Sequence, residues 1–344
     1  MVSVNLPYKH NHASRRRERG LTLIELLVSL VIGLVLILGV WLLLSNSRAS
    51  FHTSQTQAHI LDNGRYALHV LGRDLKHAGS FGQISKPDLI EGGAVMPAAS
   101  GDCANLFYVN LAQRVYGVDL SNAAVANPFN GTCLPNSALQ ADSDVLVVRY
   151  AEPIAVLDTD IGVNAGEAFI QANVSRGQLF VAAANGSTTP TFAPDQNFKL
   201  IAHVYYVHKH TQGTDGIPSL RRIELGAGSG GLEMTSSVVL SGVENMQIQF
   251  GINACTTQNC PDVINSYVDA SNAMFDNTLW STPAAQTAAN QIEAIKMWLL
   301  IRGEGIEPAE SFPTSYTLGN FNVTGLDANV RREVFSGVFN VRNR

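Results

Sequence analysis

Glu25 is the only charged residue in a run of 24 mostly apolar residues, Leu21–Leu44. A carboxylate among apolar side chains is strongly disfavoured unless it is protonated or paired, and charges at membrane depth tend to be functional. The chemistry that this position indicates is ion pairing. A cation close to Glu25 would favour the ionised carboxylate.

Four cysteines, Cys103, Cys133, Cys255 and Cys260, all lie well beyond the apolar run. In an exported protein an even number predicts disulfides, here two. Sequence proximity favours Cys103–Cys133 and Cys255–Cys260, although four cysteines allow three pairings. A zinc site is the alternative, but Cys255-x4-Cys260 lacks a second nearby pair of ligands at normal spacing.

A glycine pattern later in the chain matches the dinucleotide-binding fingerprint on paper. Gly226-x-Gly228-x-x-Gly231 follows a strand-like run, but the fingerprint requires a helix next. The segment that follows, LEMTSSVVL, is rich in β-branched residues. The pattern therefore predicts a hairpin loop.

Three histidines, His203, His208 and His210, surround one predicted strand, and His208 and His210 would share a face. The one carboxylate close by in sequence, Asp215, falls in a predicted turn, so core or surface histidines are favoured over a metal site. The sequence contains no Gly-x-Ser-x-Gly elbow and no His-Glu-x-x-His motif. We therefore expect no enzyme activity, no cofactor and no metal.

The length of the apolar run indicates that it can span a membrane, and the flanking charge indicates its orientation. A helix of 24 residues is about 36 Å long, which is enough to span a bilayer. Residues 1–20 carry a net charge of +4 and the remainder −9. The basic flank predicts a cytoplasmic N-terminus and an exported bulk, and the acidic bulk argues against broad nucleic-acid binding.

Three interpretations of this N-terminus remain. A secretory signal could be cut after Ala49, but the apolar run exceeds the usual length of such a signal. An uncleaved anchor explains length and orientation but not Glu25. The third interpretation comes from RERGLTLIE, residues 17–25, which resembles the class III signal of type IV prepilins and pseudopilins.

The resemblance implies that a prepilin peptidase cuts after Gly20 on the cytoplasmic side of the membrane. Leu21 would become the N-methylated new terminus, although the family usually has phenylalanine there. Glu25 would become the fifth residue of the mature chain, where the family carries a glutamate thought to engage the amine of a neighbouring subunit.

Three further blocks resemble the minor pilin family PilW: DNGRYALHVLGRDLKHAGSFG at 62–82, LSGVENMQIQFGI at 240–252 and RREVFSGVFNVRNR at 331–344. The stretch 83–240 is mostly unmatched. The resemblance implies a pilin-like α+β fold, with a cleaved leader at 1–20, a membrane-spanning helix segment at 21–44, an amphipathic segment at 45–78 and a periplasmic head at 79–344.

The residues after the membrane segment predict that one helix continues from Leu21 to about Ala78. Gly79 and Gly82 are suited to end it, and Gly64 inside it, which costs about 1 kcal/mol relative to alanine, indicates local flexibility or a close contact. An apolar stripe at helical spacing is expected to face a sheet: Leu61, Leu68, Leu71 and Leu75. Charged residues are placed largely off this stripe: Arg65, Arg73, Asp74 and Lys76.

Beyond residue 83, short β-rich runs alternate with turn residues and predict antiparallel pairing. The predicted strands are 144–151, 178–184, 200–209, 219–225, 246–252, 292–303 and 334–343. A long helix followed by such strands is typical of the α+β class. A long loop at about 98–140 holds Cys103 and Cys133.

By resemblance, the protein would be a minor pilin that helps to initiate type IV pilus assembly in or near the tip. It would first be a single-pass inner-membrane protein with a periplasmic head, and its partners would be prepilin peptidase, major and minor pilins and a tip-associated adhesin. Adhesion, twitching motility or DNA uptake would follow indirectly. A J-type pseudopilin of a type II secretion system is one alternative. A membrane-anchored periplasmic enzyme or binding protein is the other, and it predicts no dependence on Glu25.

Overall fold

The computed structural model describes residues 20–104, 106–122, 125–184, 190, 196–252, 264, 266–270, 292–308 and 310–341. The predicted leader upstream of Gly20 and the cysteines Cys255 and Cys260 lie outside these residues. The chain divides into two compact units, Met1–Gln55 and Thr56–Arg344.

One helix, α1, runs from Leu23 to His77 and confirms the prediction of a single long N-terminal helix. Every Leu, Ile, Val and Trp side chain between Leu21 and Leu44 is more than half exposed. This part of α1 is long and apolar enough to cross a membrane. The helix is followed by Gly79 with φ of 77°, the left-handed conformation that commonly ends a helix.

From Thr56 onward, one face of α1 is buried against the sheets of the second unit. The buried positions recur every three or four residues: Ile60, Gly64, Ala67, Leu71, Leu75 and Ala78. Two details of the predicted stripe are wrong. Leu61 is 37% exposed because its neighbour Ile60 occupies the core position of that turn, and Asp74 is 0% exposed because it lies beside Leu75 on the buried flank.

The first sheet has eight strands centred on one long strand. Its strands are β1 (Ile90–Glu91), β2 (Val115–Val118), β3 (Val145–Val156), β4 (Ala168–Ala172), β5 (Gly177–Val181), β6 (Asn197–His208), β7 (Ser219–Gly228) and β8 (Gly231–Ser241). Strand β6 pairs with β3 along one edge and with β4 and then β7 along the other. All pairs are antiparallel except β1 with β5.

The second sheet is antiparallel throughout. Chain order continues with β9 (Val243–Ile252), β10 (Ser266–Asp269), β11 (Ile292–Arg302), β12 (Tyr316–Leu318), β13 (Phe321–Val323) and β14 (Arg332–Asn340). The sheet order is β10-β9-β11-β14, and β12 and β13 form a separate hairpin. Short 3-10 helices occupy Pro87–Leu89, Gly93–Val95, Phe107–Val109 and Ile161–Asn164.

All seven predicted strands are present, and the α+β class is confirmed. The Gly226–Gly231 pattern lies in the hairpin between β7 and β8, as predicted. The two sheets enclose a shared core. They approach closely at Gly117 in β2, where an added Cβ would lie 2.7 Å from the Phe250 ring of β9.

Candidate assembly site

The start of α1 carries its own cap. The Thr22 carbonyl accepts hydrogen bonds from the Glu25 and Leu26 N–H groups at 3.0 and 3.2 Å, and the Thr22 hydroxyl accepts from the Glu25 N–H at 3.4 Å. A threonine followed three residues later by glutamate is the sequence signature of a capping box, and Thr22 was not among the predicted site residues. Glu25 therefore lies in the first turn of the helix, where the helix dipole favours a negative charge.

The apolar surface that follows Glu25 has no partner within the described residues. In water this surface would be strongly unfavourable, so it requires either lipid or the apolar helices of other molecules. Ser29, the polar residue within this run, donates its hydroxyl proton to the Leu26 carbonyl at 2.9 Å, so its hydrogen bond stays within the helix.

The second half of α1 is fixed to β14 through two glycines. A Cβ at Gly64 would lie 2.3 Å from the Phe335 ring, and one at Gly72 would lie 2.3 Å from the Phe339 ring. Each ring therefore lies directly on helix backbone, and the close contact predicted for Gly64 is confirmed. Because later helix residues meet later strand residues, α1 and β14 run in the same direction. Eight helical residues rise about 12 Å and four strand residues about 13 Å, so the two spacings match.

Asp74 joins the helix to the first sheet. Its Oδ2 lies 2.5 Å from His203 Nδ1 and accepts a hydrogen bond from the Tyr205 hydroxyl at 2.6 Å. Its Oδ1 accepts from the Tyr150 hydroxyl at 3.0 Å. The partners lie on β3 and β6, so one buried carboxylate ties α1 to two adjacent strands of the sheet. We call Asp74, Tyr150, His203 and Tyr205 the Asp74 cluster.

The electrostatics of the Asp74 cluster favour the ionised carboxylate. Burial alone would raise the pKa of Asp74, but the hydrogen bonds and charge of His203, with the hydroxyl groups of Tyr205 and Tyr150, outweigh it and lower that pKa to about 2. Burial, and then the Asp74 charge, raise the pKa of both tyrosines. Both hydroxyls therefore remain protonated and can donate to Asp74.

A disulfide joins Cys103 to Cys133, one of the two pairings that sequence proximity favoured. The enclosed loop is also fixed to the sheet by Arg149 of β3, which is completely buried. Its Nε and Nη1 donate to the Phe107 and Gln113 carbonyls at 3.1 and 2.6 Å, and its guanidinium lies 4.1 Å from the centre of the Phe107 ring. Burial lowers the pKa of Arg149 to about 9.

The structure separates the three histidines. His203 belongs to the buried Asp74 cluster, whereas His208 is the last residue of β6 and His210 lies in the turn that follows, both half-buried. The His208 and His210 rings are 6.1 Å apart, and their hydrogen bonds go to that turn. Among the described residues, no three His, Cys, Asp or Glu side chains are placed to hold a metal ion.

The sequence therefore predicted the assembly half of α1 but not the contacts that hold its other half on the head. Glu25 and the apolar run were found from a charge in an unusual place. Asp74 was predicted to lie largely off the leucine stripe, and the structure buries it beside that stripe. The available signal was the DLKHAG segment itself, in which Asp74 directly precedes the buried Leu75.

Comparison with known families gives two matches. Residues 15–41 match the prokaryotic N-terminal methylation motif, and residues 204–343 match the type IV pilus-assembly protein W family. The latter match begins inside β6, so the stretch without family resemblance is shorter than the predicted 83–240. Comparison with curated proteins and with solved structures gives no significant match.

The methylation motif, the long apolar helix and the β-rich head together define a type IV pilin-like protein that is anchored in a membrane. Within this class, residues 204–343 are similar to the type IV pilus-assembly protein W family, the resemblance that the sequence predicted. The pilin-like class and the leader motif imply processing by prepilin peptidase and interaction with other pilus components.

Proposed function

We propose that this protein is a minor pilin that helps to initiate type IV pilus assembly and that it resides in or near the pilus tip. One observation carries the proposal: the apolar side chains of Leu21–Leu44 are all more than half exposed, on a helix whose other half is packed onto its own head. A bilayer covers such a surface before assembly. The helices of neighbouring subunits cover it afterwards.

Glu25 has the role of an assembly residue in this proposal. Cleavage after Gly20 removes the basic leader and leaves an α-amine at Leu21, which is then methylated. Glu25 pairs with the amine of a neighbouring subunit and sets the axial register of the two helices. An ion pair is favourable in this apolar setting because each charge alone would be costly there.

The topology follows from the charge distribution. The N-terminus is cytoplasmic and the head periplasmic in the inner membrane, and the protein then passes into the pilus. Its partners are major and minor pilins and a tip-associated adhesin. Adhesion, twitching motility or DNA uptake depend on it indirectly, and the role of the protein is structural, without catalysis.

Mass spectrometry of the N-terminus, in protein from sheared pili and from membranes, tests this proposal. We expect a methylated Leu21 terminus in pili, and an intact leader in cells without prepilin peptidase. A terminus at Ser50 or Met1 in wild-type cells would contradict the pilin function. Deleting the gene separates the pilus from type II secretion, because loss of surface pili with normal secretion of exoproteins is the expected outcome.

A further inference from the structure

Strand β14 lies at an edge of the second sheet, and the direction of its backbone groups can be derived from the pairing. The Arg331 carbonyl accepts from the Gly303 N–H, and the Val341 N–H donates to the Glu293 carbonyl, both at 2.9 Å. The backbone N–H and C=O groups alternate in direction along an antiparallel strand. Those of the odd-numbered residues from 331 to 341 therefore point towards β11. The N–H and C=O groups of the even-numbered residues point away from the sheet: Val334, Ser336, Val338 and Asn340.

Within the part of the chain that the structure describes, this edge is open along most of its length. The Arg332 carbonyl receives the Tyr316 hydroxyl at 3.4 Å, but from Val334 to Asn340 no backbone group of the described residues pairs with the outer side. Proteins usually protect such an edge with lysine, proline or a bulge. The segment from Val334 to Asn340 has no charge and no proline, and its pairing with β11 is continuous over nine residues.

The outer edge of β8 provides a contrast within the same head. Ser100 covers one end of it, because the Ser100 N–H donates to the Leu232 carbonyl and the Met234 N–H donates to the Ser100 carbonyl, both at 2.8 Å. A register shift opposite Leu220 and Arg221 interrupts the other end. Among the described residues, the edge of β8 is therefore protected and that of β14 is left uncovered.

Side chains beside the open edge define what could bind there. Val338 is 53% exposed and Val334 half-buried on the outer face, while Phe335 and Phe339 are half-buried on the helix face. An added strand would place side chains next to valines on one face and next to phenylalanines on the other. A charge in that strand would lose water without gaining a partner, so the fitting segment is extended, uncharged and rich in β-branched or apolar residues.

A second copy of β14 does not fit this edge. Antiparallel self-pairing would make the head-bound parts of the two α1 helices run in opposite directions, because this part of α1 is parallel to β14, and subunits that share one polarity in a pilus do not allow this arrangement. In a parallel pair, a residue whose backbone groups face the partner strand lies opposite a residue whose groups face away. Two copies of β14 would therefore have to be shifted by one residue, and the two-fold axis of a symmetric dimer does not allow this shift. The occupant is therefore a strand of a different protein.

We propose that the open edge of β14, from Val334 to Asn340, is a strand-addition site that binds an extended, uncharged segment of another pilin-like subunit. The identity of the partner as a pilus component rests on the proposed function, whereas the binding mode rests on the edge geometry alone. Backbone hydrogen bonds give such a site its affinity, and the valines and phenylalanines give it selectivity.

The binding mode is tested on the full chain in detergent micelles with a short peptide of alternating valine and threonine as the probe. We expect the peptide to slow hydrogen exchange of the Val334, Ser336, Val338 and Asn340 amides. The Phe335, Gly337 and Phe339 amides should not change, because β11 already binds them. No protection, or protection without this alternation, would overturn the proposal.

Substitution of the edge supplies the matched comparison. Val338→Pro removes one outward N–H but no bond to β11, as edge positions allow, and should weaken peptide binding about tenfold. Val338→Thr keeps the N–H and the branched side chain and should bind like the wild type. If Val338→Pro fails to fold, the same test can be made by changing the peptide. N-methylation of the peptide amides that face β14 should abolish binding, and N-methylation of the amides that face away should not. Equal binding of both methylated peptides contradicts strand addition.

Cells separate this proposal from the proposed function. We expect Val338→Pro to lower the number of surface pili while the amount and the N-terminal processing of the protein remain normal. Normal piliation of Val338→Pro, in cells that lose pili when the gene is deleted, overturns the edge site and leaves the function intact. Normal piliation after deletion of the gene would overturn the proposed function. If the peptide still protects alternate amides of β14, the edge site remains intact.

Discussion

Asp74 shows how a single buried carboxylate can orient a long helix on a head. Its two oxygens are shared among His203, Tyr205 and Tyr150, which come from two strands. A leucine at this position would pack in the same core but would not select one rotation and one axial position of α1. Directional hydrogen bonds do select them, and the loss of any partner leaves a buried polar group unsatisfied.

We predict that Asp74→Asn destabilises the head. The native carboxyl has a pKa of about 2 and the unperturbed value is 3.8, which corresponds to about 2 kcal/mol of stability above pH 4. Between pH 4 and pH 2 the unfolded chain takes up the proton first, so this contribution is lost as the pH falls. Thermal unfolding of the full chain in micelles should show a gap between wild type and variant that narrows over this range.

Asp62 provides the matched control, because it is an exposed carboxylate on the same helix. Asp62→Asn should unfold like the wild type at every pH. A gap between wild type and Asp74→Asn that stayed constant down to pH 2 would mean that the variant acts through packing and that the ionised state of Asp74 does not matter.

At the scale of elements, the contact between α1 and β14 depends on the absence of two side chains. Helix propensity favours alanine over glycine by about 1 kcal/mol, but the rings of Phe335 and Phe339 occupy the space that a Cβ would need. Packing therefore overrides propensity at Gly64 and Gly72. The same two contacts fix the register between the helix and the strand.

We expect Gly64→Ala to destabilise the head by about 1–3 kcal/mol, the usual cost of overpacking. Combining it with Phe335→Val should recover much of that loss, because the smaller side chain frees the space. Gly39→Ala is the matched control, since nothing lies within 4 Å of its added Cβ. Purely additive effects of Gly64→Ala and Phe335→Val in a double-mutant cycle would show that the two residues are not coupled in this way.

The loop closed by Cys103 and Cys133 makes a second prediction at this scale. The cysteines are 30 residues apart, and closing a loop of that length should stabilise the folded state by about 3–4 kcal/mol. Replacing both cysteines with alanine should lower the thermal midpoint and expose the loop to protease before the rest of the head. Unchanged proteolysis of residues 98–140 would indicate that the Arg149 contacts hold the loop without the disulfide.

Elements with a strong periodic pattern could be predicted from the sequence, and weakly patterned ones could not. The apolar run and the leucine spacing define α1, and β-branched runs define β6, β9 and β11. By contrast, β2 has four residues including a glycine, and β4 is partly alanine, so neither stands out. Strand order and the pairing of α1 with β14 depend on contacts between residues far apart in sequence, which local patterns do not encode.

On the scale of the whole molecule, α1 serves two environments with one continuous backbone. Its second half is committed to the head through Gly64, Gly72 and Asp74. Its first half offers only apolar surface, a cap at Thr22 and the carboxylate of Glu25. Faults in the two halves should therefore have different consequences: loss of folded protein in one case, and folded protein that does not assemble in the other.

Glu25→Ala tests the second kind of fault. The variant should be made, cleaved after Gly20 and folded in the head like the wild type, since Glu25 is exposed and its N–H bonds to Thr22 survive the change. We expect its amount in sheared pili to fall severalfold, because the amine of the neighbouring subunit loses its counter-charge. Ser29→Ala, one turn further along, should assemble normally since its hydroxyl bonds only to its own helix. Wild-type levels of Glu25→Ala in pili would remove Glu25 from the assembly mechanism, and equal losses for both variants would point to helix stability instead of charge.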